Sequence, residues 1–285
     1  MEVESKKAMV WLLPCMVLLF IVDIIPFLVA IGESFRALSF TLLSQRGQWV
    51  GLDNYRKALN DPVFLESILT TFKILVPALS IELLLGLGIG LLLAQFQRAR
   101  RFLMSIIAIP MMIAPVVIGM MGVLALNSEF GPIGIILRNF NLVEKAILGT
   151  SLAWIAIVIL DIYQWTPLAA IIFLAGILAM PQEPFEAAQI DGASSWQRFL
   201  FLTLPMLKNL FAVVLFLRFI DAFKMFDKIW IATEGGPGRT TQTVSIYAFR
   251  HGFLRWNLSY GTTLALLIFL VSFIVTYLFV KFSKV

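Results

Sequence analysis

The chain reads as an all-α polytopic membrane protein with six transmembrane helices. Three observations lead there. Of its 285 residues, 60% are hydrophobic and 14% charged, against about 45–50% and about 25% in an ordinary globular chain. The mean hydropathy is +0.93, and a soluble domain of this length has too much surface to cover with so few polar residues. Six stretches each hold about 20 mostly apolar residues, enough to cross about 30 Å of hydrocarbon. This composition excludes a disordered chain, a disulfide-stapled secreted module and most soluble enzymes.

The first span is placed at 9–32, after a cytoplasmic N-terminus at 1–8, and is interrupted only by Pro14, Asp23 and Pro26. Lys6 and Lys7 precede it, as they would in a secretory leader. Its apolar run exceeds the usual 7–15 residues, however, and no small-x-small cleavage site follows, so it reads as an uncleaved anchor. An outer, periplasmic loop takes 33–70. The remaining spans are placed at 71–96, 102–126, 147–180, 210–233 and 259–280, with a long inner loop at 181–209.

Orientation rests on Lys and Arg in short loops. With the N-terminus inside, the inner pieces carry Lys6, Lys7, Arg98, Arg100, Arg101, Arg198, Lys208, Lys281 and Lys284. The outer loops carry Arg36, Arg46, Arg56, Lys57, Arg138, Lys145, Arg239, Arg250 and Arg255. The two sets are equal in number, so density decides: Gln97–Arg101 packs three arginines into a tight turn. Both termini are therefore expected in the cytoplasm. The net charge of +5 suits loops beside anionic lipid rather than a nucleic-acid partner. The lone Cys15 cannot form an internal disulfide. Gly86 and Gly90 form a Gly-x3-Gly pair on one helix face, which favours close helix packing.

The inner loop has helical signals. Pro184 suits a first turn, and Glu183 and Glu186 favour a helix N-terminus. Gly192 can end the helix after Asp191. Ser194 or Ser195 can cap a second one, with Trp196, Phe199 and Leu200 on its apolar face. Pro205 marks a break before the fifth span. Small residues Ala187, Ala188 and Gly192 leave a flat surface for close approach by another protein. Lipid-resting helices usually carry a basic polar face, and this one is acidic.

These residues carry a resemblance. Glu186-Ala187-Ala188, then Gly192, then Leu202-Thr203-Leu204-Pro205 resembles the EAA motif of ABC importer permeases, with Leu202 where the family often has Ile. Gly51-Leu52-Asp53-Asn54-Tyr55, Asp221 to Asp227 and Thr233 to Pro237 are similar to the carbohydrate-uptake permeases, above all the first subunit of the maltose and glycerol-phosphate types. The resemblance implies a type I ABC importer permease fold with its transmembrane domain at 71–281, in a bacterial inner membrane. It implies a second homologous permease, two ATP-binding subunits and an extracytoplasmic solute-binding protein as partners. ATP and Mg would be used by the partner ATPase, with no cofactor on this chain, which also has no P-loop sequence of its own. Glu186, Ala187, Ala188, Asp191, Gly192 and Pro205 would couple to that ATPase: Glu186 anchoring the loop, the alanines packing, Gly192 permitting the turn.

A candidate solute path runs through the fourth and fifth spans. Asp161, Tyr163, Gln164 and Trp165 mix polar and aromatic groups, which suits a polyhydroxylated solute. Arg218, Asp221 and Lys224 continue, with Asp227 and Lys228, as a stripe of alternating sign on one face of a continuous fifth helix. The stripe is either a polar wall of the path or a set of ion pairs between helices. Asp23, Glu82 and Asp161 read as isolated acids. The Glu234–Gln242 segment reads as a flexible outer turn, which with 33–66 offers a surface to an external protein. The single His251 makes a poor metal site, and none is expected. Asn257-Leu258-Ser259 fits a glycosylation acceptor, a pattern common by chance. A stand-alone secondary transporter or channel is the rival reading, although the halves show no convincing repeat. A membrane enzyme would need clustered catalytic groups.

Overall fold

A computed structural model describes residues 12–37, 47–140 and 147–283. Lys6, Lys7, Arg46, Lys145, Lys284 and the stretch 1–8, expected from sequence in the cytoplasm, lie outside the described residues. Five described helices are long and apolar enough to cross a bilayer, and a sixth crossing is made if one bent pair counts together. The described residues form two compact units, one drawn from Met1–Leu65 and Tyr247–Leu270, the other from Glu66–Ile246 and Val271–Val285.

In the first unit, α1 (Leu12–Ser34) covers most of the first predicted span and is long and apolar enough to cross a bilayer, with a π-turn at Phe20–Ile24. Two short antiparallel strands follow, β1 (Arg36–Ala37) and β2 (Gln48–Trp49), with Arg36 opposite Trp49. Then α2 (Asp53–Leu59) begins inside the Gly51–Tyr55 motif. Asn54 in that motif donates to the carbonyls of Ser34 (2.8 Å) and Arg36 (2.9 Å), and Tyr55 bonds the Ser34 hydroxyl at 2.7 Å. The motif thus ties α2 to the end of α1. Asp61 caps the next helix, accepting from the Val63 N–H at 2.9 Å and from the hydroxyls of Tyr247 and Tyr260. Burial opposes its ionisation, but these donors together hold its carboxyl below the usual range. α11 (Val244–Phe249) and a π-turn at Arg250–Leu254 lead to α12 (Leu258–Ser283). The ring of His251 lies between those of Tyr247 (4.6 Å) and Tyr260 (4.9 Å).

The second unit is built around α3 (Pro62–Gln95), α7 (Ala153–Leu178) and α9 (Ser195–Phe223). The Gly-x3-Gly pair acts as expected: a Cβ on Gly86 would meet the Ala169 Cβ at 2.5 Å, and one on Gly90 the Leu174 nitrogen at 3.1 Å. The backbones of α3 and α7 approach there, over a core of Leu87, Ala169, Phe173, Leu207 and Val214. Gly176 does the same for α7 against Leu207 and Leu210 of α9.

The elements depart from the sequence reading in four places. α3 begins at Pro62 rather than near Thr71. Its 34 residues span about 51 Å at 1.5 Å each, so its outer turns stay helical beyond the hydrocarbon, where apolar content no longer marks them. The third span is not one rod. α4 (Arg100–Met112) and α5 (Pro115–Ala125) meet at 90°, because Ala114 precedes Pro115 and is pushed out of the helical region; Ile113 and Ala114 have ψ of 134° and 139°. The fifth span starts early and ends early. Pro205 does not break it, since a π-turn at Phe199–Thr203 lets the Leu204 N–H reach the Phe199 carbonyl and absorbs the proline. The helix stops at Phe223, and a separate α10 (Asp227–Thr233) follows. α10 lies against α5, where a Cβ on Gly119 would meet the Lys228 backbone at 3.0 Å. A short α6 (Pro132–Asn139) completes this region.

The Glu234–Gln242 segment is pinned rather than free. Thr233 and Thr241 share a hydrogen bond of 2.7 Å, Thr241 donates to Gly236 O at 2.9 Å, and Thr240 to Pro237 O at 2.7 Å. Arg239 pairs with Glu66 at 2.9 Å. Glu234 itself takes a left-handed φ of 51°.

Candidate functional site

The second unit holds two features built from the residues singled out in the sequence. The first is a charged core. Arg218, only 2% exposed, projects from α9 toward α3 and α7. Its Nε donates to Glu82 at 2.8 Å, and Nη2 donates to Glu82 at 3.1 Å and to Asp161 at 3.0 Å. Its Nη1 donates to Asp221 at 2.8 Å. Lys228 of α10 meets the second oxygen of Asp161 at 2.5 Å. Glu82 and Asp161 are therefore not isolated. Each is buried beside a cation that holds it in the membrane interior, where an unpaired charge is costly. Trp165 covers the guanidinium, with Cζ 4.7 Å from its ring centre.

The proposed stripe on one continuous helix is replaced by this network. Arg218 and Asp221 stay on α9. Lys224 caps its end, and Asp227 and Lys228 belong to α10. The turn at 224–226 folds Lys228 inward, so it is buried while Lys224 and Asp227 stay exposed. These residues line an open cavity of about 250 Å³ with Pro115, Asp161, Trp165, Met225 and Phe226.

Tyr163 and Gln164 part company with this cavity. Tyr163, 48% exposed, borders a separate apolar cavity of about 470 Å³ with Ile118, Met121 and Leu160. Residues 161 and 163 fall on opposite sides of a helix, so no packing brings both to one pocket. Gln164 is buried and donates to the Ile113 carbonyl at 2.8 Å. It satisfies a backbone group that the break between α4 and α5 strips of its helical partner. Sequence reading missed Glu82 as a partner of Arg218 and Lys228 as a partner of Asp161. A mid-span acid was the available signal, but pairing across 136 residues is a tertiary fact.

The second feature is an elbow. α8 (Glu183–Ile190) has Pro184 in its first turn and ends at Asp191. Gly192 follows at φ +80°, a conformation that suits glycine, and the Ala193 N–H closes on Ala188 O at 2.9 Å. Of the two caps foreseen, Ser194 is the one used. Its Oγ accepts the Gln197 N–H at 3.2 Å, and Gln197 Oε1 accepts the Ser194 N–H at 2.7 Å, a full capping box. Arg198 joins the two helices, donating to Gln189 and Ser195 at 3.3 Å each. Glu186, Ala187, Gln189 and Asp191 are exposed, Ala188 is half-buried, and Ile190 and Trp196 are open to solvent at 86% and 65%. A turn locked at both ends, with apolar groups held out, can transmit a displacement that loose chain would absorb.

Comparison with known proteins agrees with this architecture. Residues 86–284 match the family described as binding-protein-dependent transport system inner membrane component. The trehalose/maltose transport system permease protein MalF of Thermococcus litoralis is 34% identical over 96% of this chain and 93% of its own length. The sulfoquinovosyl glycerol transport system permease protein SmoG of Agrobacterium fabrum is 30% identical over 99% and 91%. A crystal structure of a bacterial ABC transporter involved in import of the acidic polysaccharide alginate superposes with a TM-score of 0.82 at 20% identity, covering 99% of this chain and 96% of that one. The chain belongs to the family of binding-protein-dependent transport system inner membrane components: it is a multi-pass permease subunit of an ABC importer, the ATPase being a separate subunit.

Proposed function

We propose that this permease carries a sugar or sugar-like solute, in company with a second, homologous permease, and that two ATP-binding subunits drive it through the 181–209 elbow. ATP and Mg belong to those subunits. A solute-binding protein delivers the solute from outside, and both termini lie in the cytoplasm of a bacterial cell. The observation that carries this reading is the elbow itself: α8 and the start of α9 are fixed to each other by Gly192, the capping box and Arg198. Glu186 and Asp191 offer charge, and Ile190 an apolar contact, to a docking cleft. The names of the relatives, a trehalose/maltose system and a sulfoquinovosyl glycerol system, support a carbohydrate-like cargo. So does a cavity that sets Trp165 beside Asp221 and Lys224, since sugars present hydroxyls to polar groups and apolar faces to rings.

The test is the coupling ratio in proteoliposomes. A Cβ at Gly192 meets nothing within 4 Å, so Gly192→Ala adds no clash and only strains the left-handed turn by about 1–2 kcal/mol. We expect it to lower solute moved per ATP hydrolysed, while Gly192→Asn, which tolerates that φ better, retains more. Glu186→Ala should lower ATPase retention. Normal coupling and retention in all three would remove the elbow from the mechanism.

A further inference from the structure

Residues 96–99 join the end of α3 to the start of α4. Arg100 opens α4 and turns back on α3. Its Nε donates to Leu93 O at 3.1 Å and its Nη2 to Ala94 O at 2.8 Å. Those carbonyls belong to the last turn of α3, where helical partners run out. The Arg100 guanidinium is thus engaged in closing a helix end. Arg98 and Arg101 stand on either side of it, and both are exposed. Among the described residues neither meets a carboxylate, whereas Arg36, Arg218 and Arg239 each do. The chain has no Asp or Glu between Glu82 and Glu129, and Glu82 is held by Arg218. Two cations three residues apart repel each other unless an anion lies between them.

The same turn presents apolar surface. Phe96 and Phe102 are 52% and 69% exposed, and they follow directly on a helix long and apolar enough to cross a bilayer. At the end of such a helix an exposed ring enters the acyl chains, while an arginine stem runs up to the headgroups. A guanidinium meets a phosphate through two parallel N–H···O bonds. An acidic protein segment would answer the arginines and leave the two rings in water. A phospholipid answers both.

We propose that Arg98 and Arg101 form a headgroup site for an anionic phospholipid, with Phe96 and Phe102 against its acyl chains. The site draws only on α3, α4 and the turn between them.

The experiment is native mass spectrometry of the intact complex, released from a neutral detergent after addition of phosphatidylglycerol or, for comparison, zwitterionic phosphatidylcholine. Phosphatidylglycerol adducts should outnumber phosphatidylcholine adducts on the wild type. Arg98→Gln and Arg101→Gln should each lower the bound-to-free ratio for phosphatidylglycerol about 5-fold, and together about 25-fold, the effect of one cation each at an anionic surface. Arg98→Lys with Arg101→Lys keeps the charge and loses the fork, so it should fall between the Gln pair and the wild type. It also keeps the test in force if the Gln pair does not fold. Arg138→Gln removes an exposed arginine from α6 and should leave the lipid bound, which separates a site from net charge. Equal adducts of the two lipids on the wild type would overturn the proposal, as would an unchanged ratio in both double variants or an equal loss in Arg138→Gln. Displacement of the lipid by inorganic phosphate alone would reassign the pair to a free anion. Loss of the ATP-binding subunits from the Gln pair, with lipid retained, would reassign it to protein docking. Either result overturns the headgroup site.

Discussion

Replacing Arg218 with Met probes the charged core most sharply. The side chain makes four hydrogen bonds to three carboxylates, but their loss is not equal. Asp161 keeps Lys228, and the Asp221 side chain is 46% exposed and can take up water. Glu82, 1% exposed, loses both bonds from the guanidinium. The cost therefore concentrates on one stranded buried carboxylate, about 3–5 kcal/mol, or roughly two to three and a half powers of ten in the folded population. Adding Glu82→Leu removes the stranded group and should recover at least about 2 kcal/mol, because a well-packed apolar pair often matches a buried ion pair. Unfolding in detergent, followed through tryptophan fluorescence, reads both variants, and Trp165 beside Arg218 serves as the local reporter. An Arg218→Met change under about 1 kcal/mol, or a double variant whose costs simply add, would refute the view that this network stabilises the fold.

Other substitutions separate packing from transport. Gly86→Ala should destabilise by about 1–3 kcal/mol through its clash with Ala169, whereas Gly88→Ala, with open space around it, should be neutral or stabilising by up to about 1 kcal/mol in the same unfolding measurement. Lys224→Ala lies on the exposed rim of the 250 Å³ cavity, so it should shift the KM for solute with stability changed by less than about 0.5 kcal/mol. Asp161→Ala, by contrast, should lose stability before it alters solute preference, because it strips Lys228 of its partner. His251 should make stability pH-dependent. Burial and then the Arg255 cation push its pKa down to about 4; Asp61 pulls upward less strongly, and Lys57 adds the smallest downward push. The unfolded chain then binds more protons between about pH 6.5 and 4, and stability falls as pH drops through that window. His251→Asn should flatten the thermal-stability profile there, and an unchanged profile would assign the dependence elsewhere.

Much of the fold was legible because bilayer crossing is a composition problem. The apolar runs found α1, α7 and α12, and glycine spacing marked the face of α3 that packs closely, though not α7 as its partner. Local chemistry served equally well at the elbow: Pro184, Gly192 and Ser194 each have a short-range role. Sequence failed where geometry depends on a partner far along the chain. Nothing near Ile113 announces that Gln164 will cap its freed carbonyl, which is what makes the 90° bend between α4 and α5 affordable. The period of a helix, extended past Phe223, drew Lys228 onto the wrong face; the turn at 224–226 instead sends it to Asp161. Pro205 read as a break because proline rules assume an ordinary α-turn before it, and the π-turn supplies a wider one. Tyr163 was grouped with Asp161 by proximity in sequence, although helical geometry already set them apart.

Energy transfer from a separate ATPase through the elbow is tested most directly by solute uptake into proteoliposomes with and without the ATP-binding subunits, the binding protein and solute gradient held constant. We predict no uptake above leak until the ATPase and ATP are both present, and less solute moved per ATP hydrolysed in Gly192→Ala. Uptake at full rate with the ATP-binding subunits omitted would contradict it.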